Sequence, residues 1–506
     1  MPRYLINVLL ALHLLTVGII SRVCSPPTEP IFTPPMEGPL TLPVAPMQIR
    51  GVTYYVSPDG SDRDAGTSAR PFRTIQKAAD SVKPGDTVVV EDGVYTYTAM
   101  SCPSRSVVCI TRGGTADNWV VFKSRNKWGA KIDGRDNSVA NGWSFQANVG
   151  YVRVEGFDVY GFGTKGSAAG FELYNGGENI QITGNHIHDI GRLCTDTANG
   201  QVGIFIQRSN VTVERNLIHD IGRFIPGERG CNPSTSFFTN HDHGIYVNGN
   251  SPGAQNVIIR NNIFYNISRG WAVQIYPGAL KNTAILNNTF ANSNPYKSGQ
   301  VIIYSVNLSG ARIENNIFYQ PKDSAISLGG SSTLSEVTVR NNITTVQTIA
   351  DVTMGGLTLG NNRTGADPRL VNPSGFDFRL SGGSPAIDAG LQSLELFDDF
   401  EGRARPQGRG YDIGAYEFSS DHVQPTIKRA QVVGKRLYVY GENFESGATV
   451  LVNDHEQKTS NQLDSSHELM CKKAGRKIEP GTVVVLRARN PAGPDSSPFV
   501  FTSPID

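Results

Sequence analysis

Residues 209–222 read SNVTVERNLIHDIG, and variants of this segment recur along the chain. Each copy has alternating apolar residues, then an asparagine, then another apolar residue one or two positions later. The copies occupy residues 178–191, 209–222, 255–268, 281–293, 310–320 and 335–346. Repetition of this kind is typical of solenoids, in which each unit packs mainly on its neighbours.

The spacing of the shared asparagine predicts the shape of the repeat. The aligned residues are Asn185, Asn216, Asn262, Asn288, Asn316, Asn342 and, with a weaker match, Asn362. Their successive separations are 31, 46, 26, 28, 26 and 20 residues. A base period in the mid-twenties, lengthened by loop insertions, predicts a coil with three short parallel strands per turn. Apolar side chains would stack inward, and asparagine amides would hydrogen-bond along the coil.

Over about residues 52–385 this pattern resembles the right-handed parallel β-helix superfamily, to which pectin, alginate and chondroitin lyases belong. Residues 54–95 also resemble the opening segment of secreted bacterial β-helix proteins, with residues 74–82 as a helix that caps the coil. The predicted fold class is therefore all-β, a right-handed parallel β-helix with an N-terminal capping helix. One such scaffold hosts several chemistries, so the fold alone does not predict the function.

Four segments are expected along the chain. Residues 1–24 contain an apolar run and predict a signal peptide or N-terminal anchor, and residues 25–50 are a proline-rich linker. Residues 51–420 are the β-helix with a closing tail, and residues 425–506 resemble a TIG/IPT immunoglobulin-like β-sandwich. This organisation predicts a secreted or cell-surface protein, extracellular or periplasmic, with no other transmembrane segment.

The composition limits the partners. With 46 basic and 45 acidic residues in 506, the net charge is +1, so no global field attracts nucleic acid. A polyanionic substrate would need local cations. We expect a polysaccharide partner, no nucleic acid, and a monomer.

Six cysteines suit an exported protein. From their placement in loops, Cys102 could pair with Cys109, and Cys194 with Cys231. This leaves Cys24 and Cys471 unpaired, with metal ligation as the minor alternative. Asp59, Asp62 and Asp64 in the opening segment make Ca²⁺ a candidate cofactor, against the alternative of a solvated turn.

Aligning the repeats predicts one exposed wall. Because side chains alternate along a strand, six strands should present two outward columns. The first column is Glu172, Phe205, Tyr246, Gln274, Ile302 and Ser327, and the second is Tyr174, Gln207, Asn248, Tyr276 and Tyr304. Aromatic rings and amides in such a strip suit an extended sugar chain. The alternative is that β-propensity alone places aromatic residues there, or that a loop covers them.

The segment NHDHGIYVNG, residues 240–249, follows the largest insertion and supplies candidate catalytic groups. Alternation predicts that Asp242 faces outward with Tyr246, whereas His243 faces inward or into the bend. His241, His243 and Tyr246 are candidates for proton transfer. A metal held by residues 241–243 is disfavoured because adjacent strand residues point to opposite sides.

Three functions are compatible with these residues. The resemblance implies a polysaccharide lyase that acts on a uronic-acid polymer by β-elimination, with Arg208, Arg269 or Lys281 neutralising the uronate. No motif matches a particular lyase family residue by residue. A glycoside hydrolase would instead use Glu172 and Asp242 as its carboxyl pair. The third function is a non-catalytic glycan-binding or adhesion protein.

Overall fold

The computed structural model describes residues 51–504, except 99–101, 103–104, 164–165, 195–199, 233–240, 293, 394, 420–423, 446, 462–466 and 491–494. The predicted signal segment, the proline-rich linker and Cys24 lie outside the described residues. Within the described part of the chain, no helix has the length and hydropathy needed to cross a membrane.

The N-terminal capping helix is shorter than predicted and spans Ile75–Ala79. It begins after Thr74, whose hydroxyl accepts a hydrogen bond from the Lys77 amide at 3.1 Å. The Asp62 carboxylate holds this start of the helix by accepting from the Thr74 amide and hydroxyl at 2.9 and 2.8 Å. That carboxylate is thus occupied by the loop, which matches the turn alternative better than a calcium ligand. Ca²⁺ binding itself stays a prediction.

Three parallel sheets run along residues 53–360 and form the walls of a coil. Their strands recur in a fixed cyclic order along the chain, as the repeat predicted. The strands of the first sheet are Thr53–Val56, Thr87–Val90, Val120–Ser124, Gly150–Glu155, Glu178–Thr183, Val211–Glu214, Ile258–Arg260, Ala284–Leu286, Arg312–Glu314, Val337–Arg340 and Leu357–Gly360. Those of the second sheet are Ser106–Ile110, Asn141–Phe145, Ala168–Leu173, Gln201–Ile206, His243–Gly249, Val273–Lys281, Val301–Tyr304, Val306–Ser309, Ser324–Gly329, Thr333–Ser335 and Thr348–Ala350. Those of the third sheet are Gly93–Thr96, Ala130–Asp133, Asp158–Tyr160, His186–Ile190, Leu217–Ile221, Ile263–Tyr265, Thr289–Ala291, Ile317–Tyr319 and Ile343–Thr344.

The asparagine ladder predicted from the repeat is confirmed. At its centre, the Asn288 amide N–H donates to Asn316 Oδ1 at 2.9 Å. Asn288 Nδ2 donates to the same oxygen at 3.0 Å and to the Ile259 carbonyl at 2.9 Å. The same pattern joins Asn185 to Asn216 and continues to Asn362. The ladder satisfies the buried backbone at one corner of the turns from Asn185 to Asn362.

Replacing Asn288 by alanine is expected to lower the free energy of unfolding. The substitution leaves the Asn262 amide without its acceptor and the Ile259 carbonyl without its donor, and each orphaned buried group costs on the order of 1–3 kcal/mol. Urea denaturation measures the change. Asn307→Ala is the control, because Asn307 is an exposed strand residue and water can replace its hydrogen bond. Equal losses for both variants would contradict this role of the ladder.

A second row of asparagines, one residue before the ladder, fixes the tail on the outside of the coil. Asn261, Asn287, Asn315 and Asn341 have positive φ values of 50–57°, which asparagine tolerates better than most residues. Each donates its side-chain amide to a tail carbonyl, namely Asp398, Asp412, Leu391 and Ala389 respectively. The duplicated asparagine of the repeat thus serves both the ladder and the tail.

The tail packs on the outer face of the third sheet. It contains the antiparallel strands Leu370–Asn372 and Asp377–Leu380, joined by the 3₁₀ turn Pro373–Gly375. Buried Phe378, Phe400 and Ile413 form a cluster with Ile263 and Ile317 of that sheet. We predicted structural closure for this segment, and in the structure it lies along the side of the coil.

The C-terminal part is a small antiparallel β-sandwich with its own buried cluster. One sheet contains Thr426–Val433, Arg436–Glu442, Glu468–Cys471 and Thr459–Asn461, and the other contains His455–Gln457, Thr449–Val452, Val483–Arg489 and Phe499–Thr502. Its relationship to TIG/IPT domains stays a prediction. The remaining short helices of the described residues are the 3₁₀ turns Glu228–Gly230 and Ala474–Lys477.

The two cysteine pairs predicted from the sequence are confirmed as disulfides. Cys102 is bonded to Cys109, and Cys194 to Cys231. The second bond joins the enlarged loops of two successive turns, next to the segment with the candidate catalytic residues. Cys471 is a free, buried thiol in the C-terminal sandwich.

Candidate active site

The first outward column predicted for the second sheet is confirmed by the strand register. Glu172 pairs with Phe205, and Phe205 with Tyr246. The column continues from Tyr246 through Gln274 and Ile302 to Ser327. Residues up to 155 positions apart in sequence therefore lie side by side on one wall.

Aromatic rings form a continuous row along this wall, which we call the aromatic strip. Its ring centroids are separated by 6.2 Å between Tyr174 and Phe205, and by 5.2 Å between Phe205 and Tyr246. The next separations are 6.3 Å to Tyr276 and 6.1 Å from Tyr276 to Tyr304. The two ends, Tyr174 and Tyr304, are exposed by 52% and 44%. A ligand in contact with the strip would have to be extended.

An open cleft of about 390 Å³ lies over one end of the aromatic strip. Its lining residues are His241, Trp271, Gln274, Tyr276, Lys297, Ile302, Tyr304, Ser327 and Leu328. These residues include two basic side chains, those of His241 and Lys297, and no carboxylate. Next to the lining residue Ser327, Asp351 accepts a hydrogen bond from the Ser327 hydroxyl at 2.7 Å.

A glycine bend near the start of the strand His243–Gly249 changes the predicted alternation. A Cβ on Gly244 would lie 3.1 Å from the Phe264 ring in the core, although the next residue, Ile245, also faces the core. Two successive positions therefore point inward, and His243 lies on the same side as Tyr246. Their ring centroids are 5.7 Å apart. We predicted that His243 faces inward or into the bend. It lies at the bend with its Nδ1 bonded to the Trp271 amide, and it is on the side of Tyr246 because the bend resets the alternation.

Asp242 is fully buried, so the prediction that it faces outward with Tyr246 was wrong. Its Oδ2 accepts from the Arg223 amide and Nε at 2.9 and 3.0 Å. Its Oδ1 accepts from Arg223 Nη2 at 2.8 Å and from the Gln201 amide at 3.0 Å. This buried ion pair joins the start of the strand His243–Gly249 to the loop that follows Leu217–Ile221. The Asp242 carboxylate therefore stabilises the fold.

His243 packs against Trp271, which lines the cleft, with ring centroids 5.9 Å apart. It is 2% exposed, and its Nδ1 accepts a hydrogen bond from the Trp271 amide at 3.2 Å. Burial lowers the pKa of His243 to about 3, assisted by the nearby His241 and Arg223. The imidazole is therefore neutral at pH 7, with its remaining proton on Nε2. The Trp271 indole is fixed in turn by donating to the Ser298 carbonyl at 2.8 Å.

Tyr246 and Glu172 are half-buried acids on the wall. Burial raises the pKa of Tyr246 to about 12, and the neighbouring Tyr276 adds to this rise. The phenol therefore keeps its proton at neutral pH and can donate it. Burial also raises the pKa of Glu172, while Arg208 lowers it. Arg208 Nη2 donates to the Asn175 carbonyl at 2.8 Å, beyond the far end of the aromatic strip from the cleft.

Arg269 and Lys281, like Arg208, lie outside the lining of the cleft. Arg269 is 6% exposed and binds the Glu228 carboxylate at 2.7 Å, so its charge is already paired. Lys281 is exposed in a separate groove with Gln255 and Asn307. Both residues are close to the strip in sequence, but the strand of Lys281 changes its partner strand between Ile275 and Gly278.

Two predicted substrate contacts instead stabilise a turn at the wall. Gln207 Nε2 donates to the carbonyls of Asn250 and Ser251 at 3.2 and 3.1 Å. Asn248 Oδ1 accepts from the Asn250 amide at 2.9 Å, and its Nδ2 lies 3.5 Å from the Tyr246 hydroxyl. Both side chains are buried. Phe205, Gln274, Tyr276 and Tyr304, in contrast, occupy the predicted strip.

Sequence reasoning missed Trp271 and Lys297. Trp271 immediately precedes Ala272, the residue before the next strand of the second sheet, and corresponds to His243 in the preceding turn. This alignment of Trp271 with His243 is the feature of the sequence that could have identified Trp271. Lys297 lies in the loop before Val301–Tyr304, where no repeat fixes its position, and only the folded loop brings it to the cleft.

Comparison with protein families agrees with this architecture. A family model described as "Pel9A-like, right handed beta helix region" matches residues 54–272. A second, described as "Right handed beta helix region", matches residues 234–364. The chain therefore has a right-handed parallel β-helix fold, as the sequence predicted.

Similarity to individual proteins is local. The pectate lyase PEL9 of Emericella nidulans is 39% identical over 82 residues, which cover 16% of this chain and 18% of that protein. The uncharacterized protein YwoF of Bacillus subtilis is 33% identical over 91 residues, which cover 18% of this chain and 17% of that protein. The chain thus aligns with less than a fifth of either relative's length.

Solved structures with a related fold include two lyases. The crystal structure of pectate lyase Pel9A shares 15% sequence identity, covering 72% of this chain and 96% of that one, with a TM-score of 0.46. A rhamnogalacturonan lyase shares 17% identity, covering 62% and 87%, with a TM-score of 0.37. At these identities the likeness concerns the fold.

Proposed function

We propose that this protein is a polysaccharide lyase that cleaves a uronic-acid-containing polymer by β-elimination in the cleft of the second sheet. The observation that carries the proposal is the meeting of the aromatic strip with a cleft that contains His241 and Lys297 and has no carboxylate among its described lining residues. An extended, anionic sugar chain satisfies both features. The strip offers flat apolar faces to sugar rings, and the Lys297 ammonium attracts uronate groups.

β-Elimination requires three tasks in the cleft. A cation must neutralise the uronate so that the C5 proton can be removed, a base must take that proton, and an acid must protonate the leaving oxygen. We assign Lys297 to neutralisation and His241 to proton removal. We assign the role of the acid to Tyr246, which keeps its proton at neutral pH and lies on the aromatic strip beside Tyr276 of the cleft. His243 positions Trp271 and touches no open space, so we leave it out of proton transfer.

A glycoside hydrolase is the weaker alternative on this site. Its two carboxyl groups would stand about 5–9 Å apart across the bond. Asp242, one member of the expected pair, is buried against Arg223. The other carboxylate near the wall is Asp351, which is bonded to Ser327. Ser327 is five strands from Glu172, which is roughly 24 Å at the strand spacing of a sheet. The described wall therefore offers no suitable carboxyl pair.

The relatives support a uronate polymer as the first substrate class to test. The local match to a pectate lyase favours a galacturonate polymer within a panel that also contains alginate and chondroitin. A secreted or cell-surface location, with the N-terminal segment as signal or anchor, would place the protein beside such polymers. We propose that it acts as a monomer, and that chelation with EDTA will show whether Ca²⁺ contributes.

The proposal is tested by incubating the full chain with the uronate panel. Elimination creates an unsaturated sugar, so ultraviolet absorbance should rise with at least one polymer. Binding without any product would favour the non-catalytic glycan-binding or adhesion function. Products that have gained one water molecule would favour hydrolysis.

Tyr276→Ala is expected to weaken binding of the substrate polymer about 5- to 10-fold. Tyr276 lines the cleft and lies between Tyr246 and Tyr304 in the aromatic strip. An aromatic stacking contact contributes on the order of 1 kcal/mol beyond its buried area. Isothermal titration calorimetry with short oligosaccharides measures the loss. Tyr440→Ala in the C-terminal sandwich is the matched control. Unchanged affinity of Tyr276→Ala would remove the strip from the binding site.

A further inference from the structure

A second cluster of chemically active side chains lies on the third sheet, on a different wall from the cleft. His186 and His188 are two positions apart on one strand, so both point to the same side. His219 lies opposite His188 on the next strand. The segments HIHDIG (186–191) and LIHDIG (217–222) carry this arrangement in the repeat.

The three imidazoles converge. One ring nitrogen from each of the three histidines lies within 4.8 Å of the other two. His186 Nε2 is 2.7 Å from His219 Nε2. On the preceding strand, Asp158 Oδ1 lies 3.1 Å from His186 Nδ1 and 2.9 Å from His188 Nε2. Four donor groups from three successive turns of the coil therefore surround one small volume.

Outer carboxylates orient two of these rings. His219 Nδ1 is 2.6 Å from Asp220 Oδ2, and His188 Nδ1 is 2.8 Å from Asp189 Oδ2. An ionised carboxylate only accepts hydrogen bonds, so Nδ1 of neutral His219 carries the proton. Its Nε2 lone pair then points at the shared volume. A carboxylate behind each ligating histidine is the usual support of a protein metal site.

We propose that His186, His188, His219 and Asp158 form a binding site for a divalent transition metal of the zinc type. Three imidazoles and one carboxylate suit such an ion, and two histidines at i and i+2 with a third on the neighbouring strand reach a tetrahedral centre. Zinc–nitrogen bonds of about 2.0–2.1 Å put ligand nitrogens roughly 3.3 Å apart. His186 and His219 need to separate by only about half an ångström to reach that spacing.

The surroundings permit entry of an ion. The four side chains are between 10% and 20% exposed, so the site is sheltered and still open to water. Asp158, Asp189 and Asp220 supply negative charge around it. Lys131 lies 3.7 Å from Asp158 Oδ2 but is 48% exposed and can turn into solvent. A bound ion would clamp three consecutive turns of the coil.

The competing explanation is a purely aromatic stack. The rings of Tyr160, His188, His219 and Tyr265 follow one another along the sheet at centroid distances of 5.3, 5.1 and 4.3 Å. Stacking alone explains those four rings. It extends to His186, whose ring stacks on His188 at a centroid distance of 4.1 Å. It does not explain the 2.7 Å approach of His186 Nε2 to His219 Nε2 or the carboxylates behind His188 and His219.

Zinc analysis of the full chain tests the site. The protein is stripped with a chelator, dialysed against ZnCl₂ and then against metal-free buffer, and its zinc is measured by mass spectrometry. We expect one equivalent per chain, a higher Tm in ZnCl₂, and loss of both effects in His188→Gln/His219→Gln. His455→Gln, which changes an exposed histidine of the sandwich, should bind zinc as the unchanged chain does.

A second variant keeps the test valid if the histidine variant does not fold. Asp189 and Asp220 have φ values of 50°, a conformation that asparagine accepts, so Asp189→Asn/Asp220→Asn should fold normally. Loss of these outer carboxylates is expected to weaken zinc affinity about 10- to 100-fold. Absence of zinc uptake by the unchanged chain, or equal affinity of this variant, would overturn the proposal and leave only the aromatic stack.

Discussion

His241→Gln is expected to lower kcat/KM on the cleaved uronate polymer by about 10²- to 10⁴-fold, the usual contribution of a positioned acid or base. His241 lines the cleft beside Trp271 and Gln274, whereas His243 is buried with its Nδ1 already occupied. Glutamine keeps a polar side chain of similar length but cannot take up a proton. Initial rates from ultraviolet absorbance of the unsaturated product measure the change.

Lys297→Met extends this prediction to the neutralising charge. Loss of a group that stabilises developing charge is expected to reduce kcat by about 10²- to 10³-fold. Lys281→Met is the matched control, because Lys281 is exposed in a separate groove. Near-normal activity of both His241→Gln and Lys297→Met would move the reaction away from this cleft. A deficit in Lys281→Met equal to that of Lys297→Met would show that charge acts at long range.

Arg223→Met is expected to lower the free energy of unfolding by about 3–5 kcal/mol, because it leaves the Asp242 carboxylate buried without its counter-charge. Both side chains are almost fully excluded from water. Arg223 also fixes the loop that follows the preceding turn, so His241, next to Asp242, should lose its position. We therefore expect activity to fall with stability. Denaturant titration and activity at a temperature where the variant is folded measure the two effects.

Arg125→Met is the control for that loss. Arg125 pairs with Glu91 at 2.6 Å, but both side chains are substantially exposed, and exposed pairs contribute little. We expect no resolved change in unfolding. Asp242→Asn/Arg223→Met, which removes both charges, should recover part of the stability lost in Arg223→Met. If the single Arg223 substitution left stability unchanged, the ion pair would not hold the strand entrance.

The fold could be predicted from the sequence because one residue marks each turn from Asn185 to Asn362. An asparagine that hydrogen-bonds its counterpart fixes the register of that part of the coil, and the columns on each wall follow from alternation. The positions of Tyr174, Tyr246 and Tyr276 on one wall followed from this rule. The same rule failed at Gly244, where a bend places two successive residues toward the core and moves His243 to the side of Tyr246.

The candidate site was harder to predict because its charges depend on loops. Arg269 was a candidate by sequence proximity, but it is paired with Glu228 from the inserted loop. Lys297 was missed because its loop has no counterpart in the repeat. The histidine cluster was visible in the repeated IHDIG segment, but its meaning required the register that sets His188 beside His219.

The mass of the reaction products tests the central claim most directly. A galacturonate polymer is digested with the unchanged chain and with His241→Gln, and the oligosaccharides are analysed by mass spectrometry. Cleavage in the cleft by elimination predicts unsaturated products without an added water, present for the unchanged chain and strongly reduced for the variant. Products that carry an added water, or equal yields from both proteins, would contradict it.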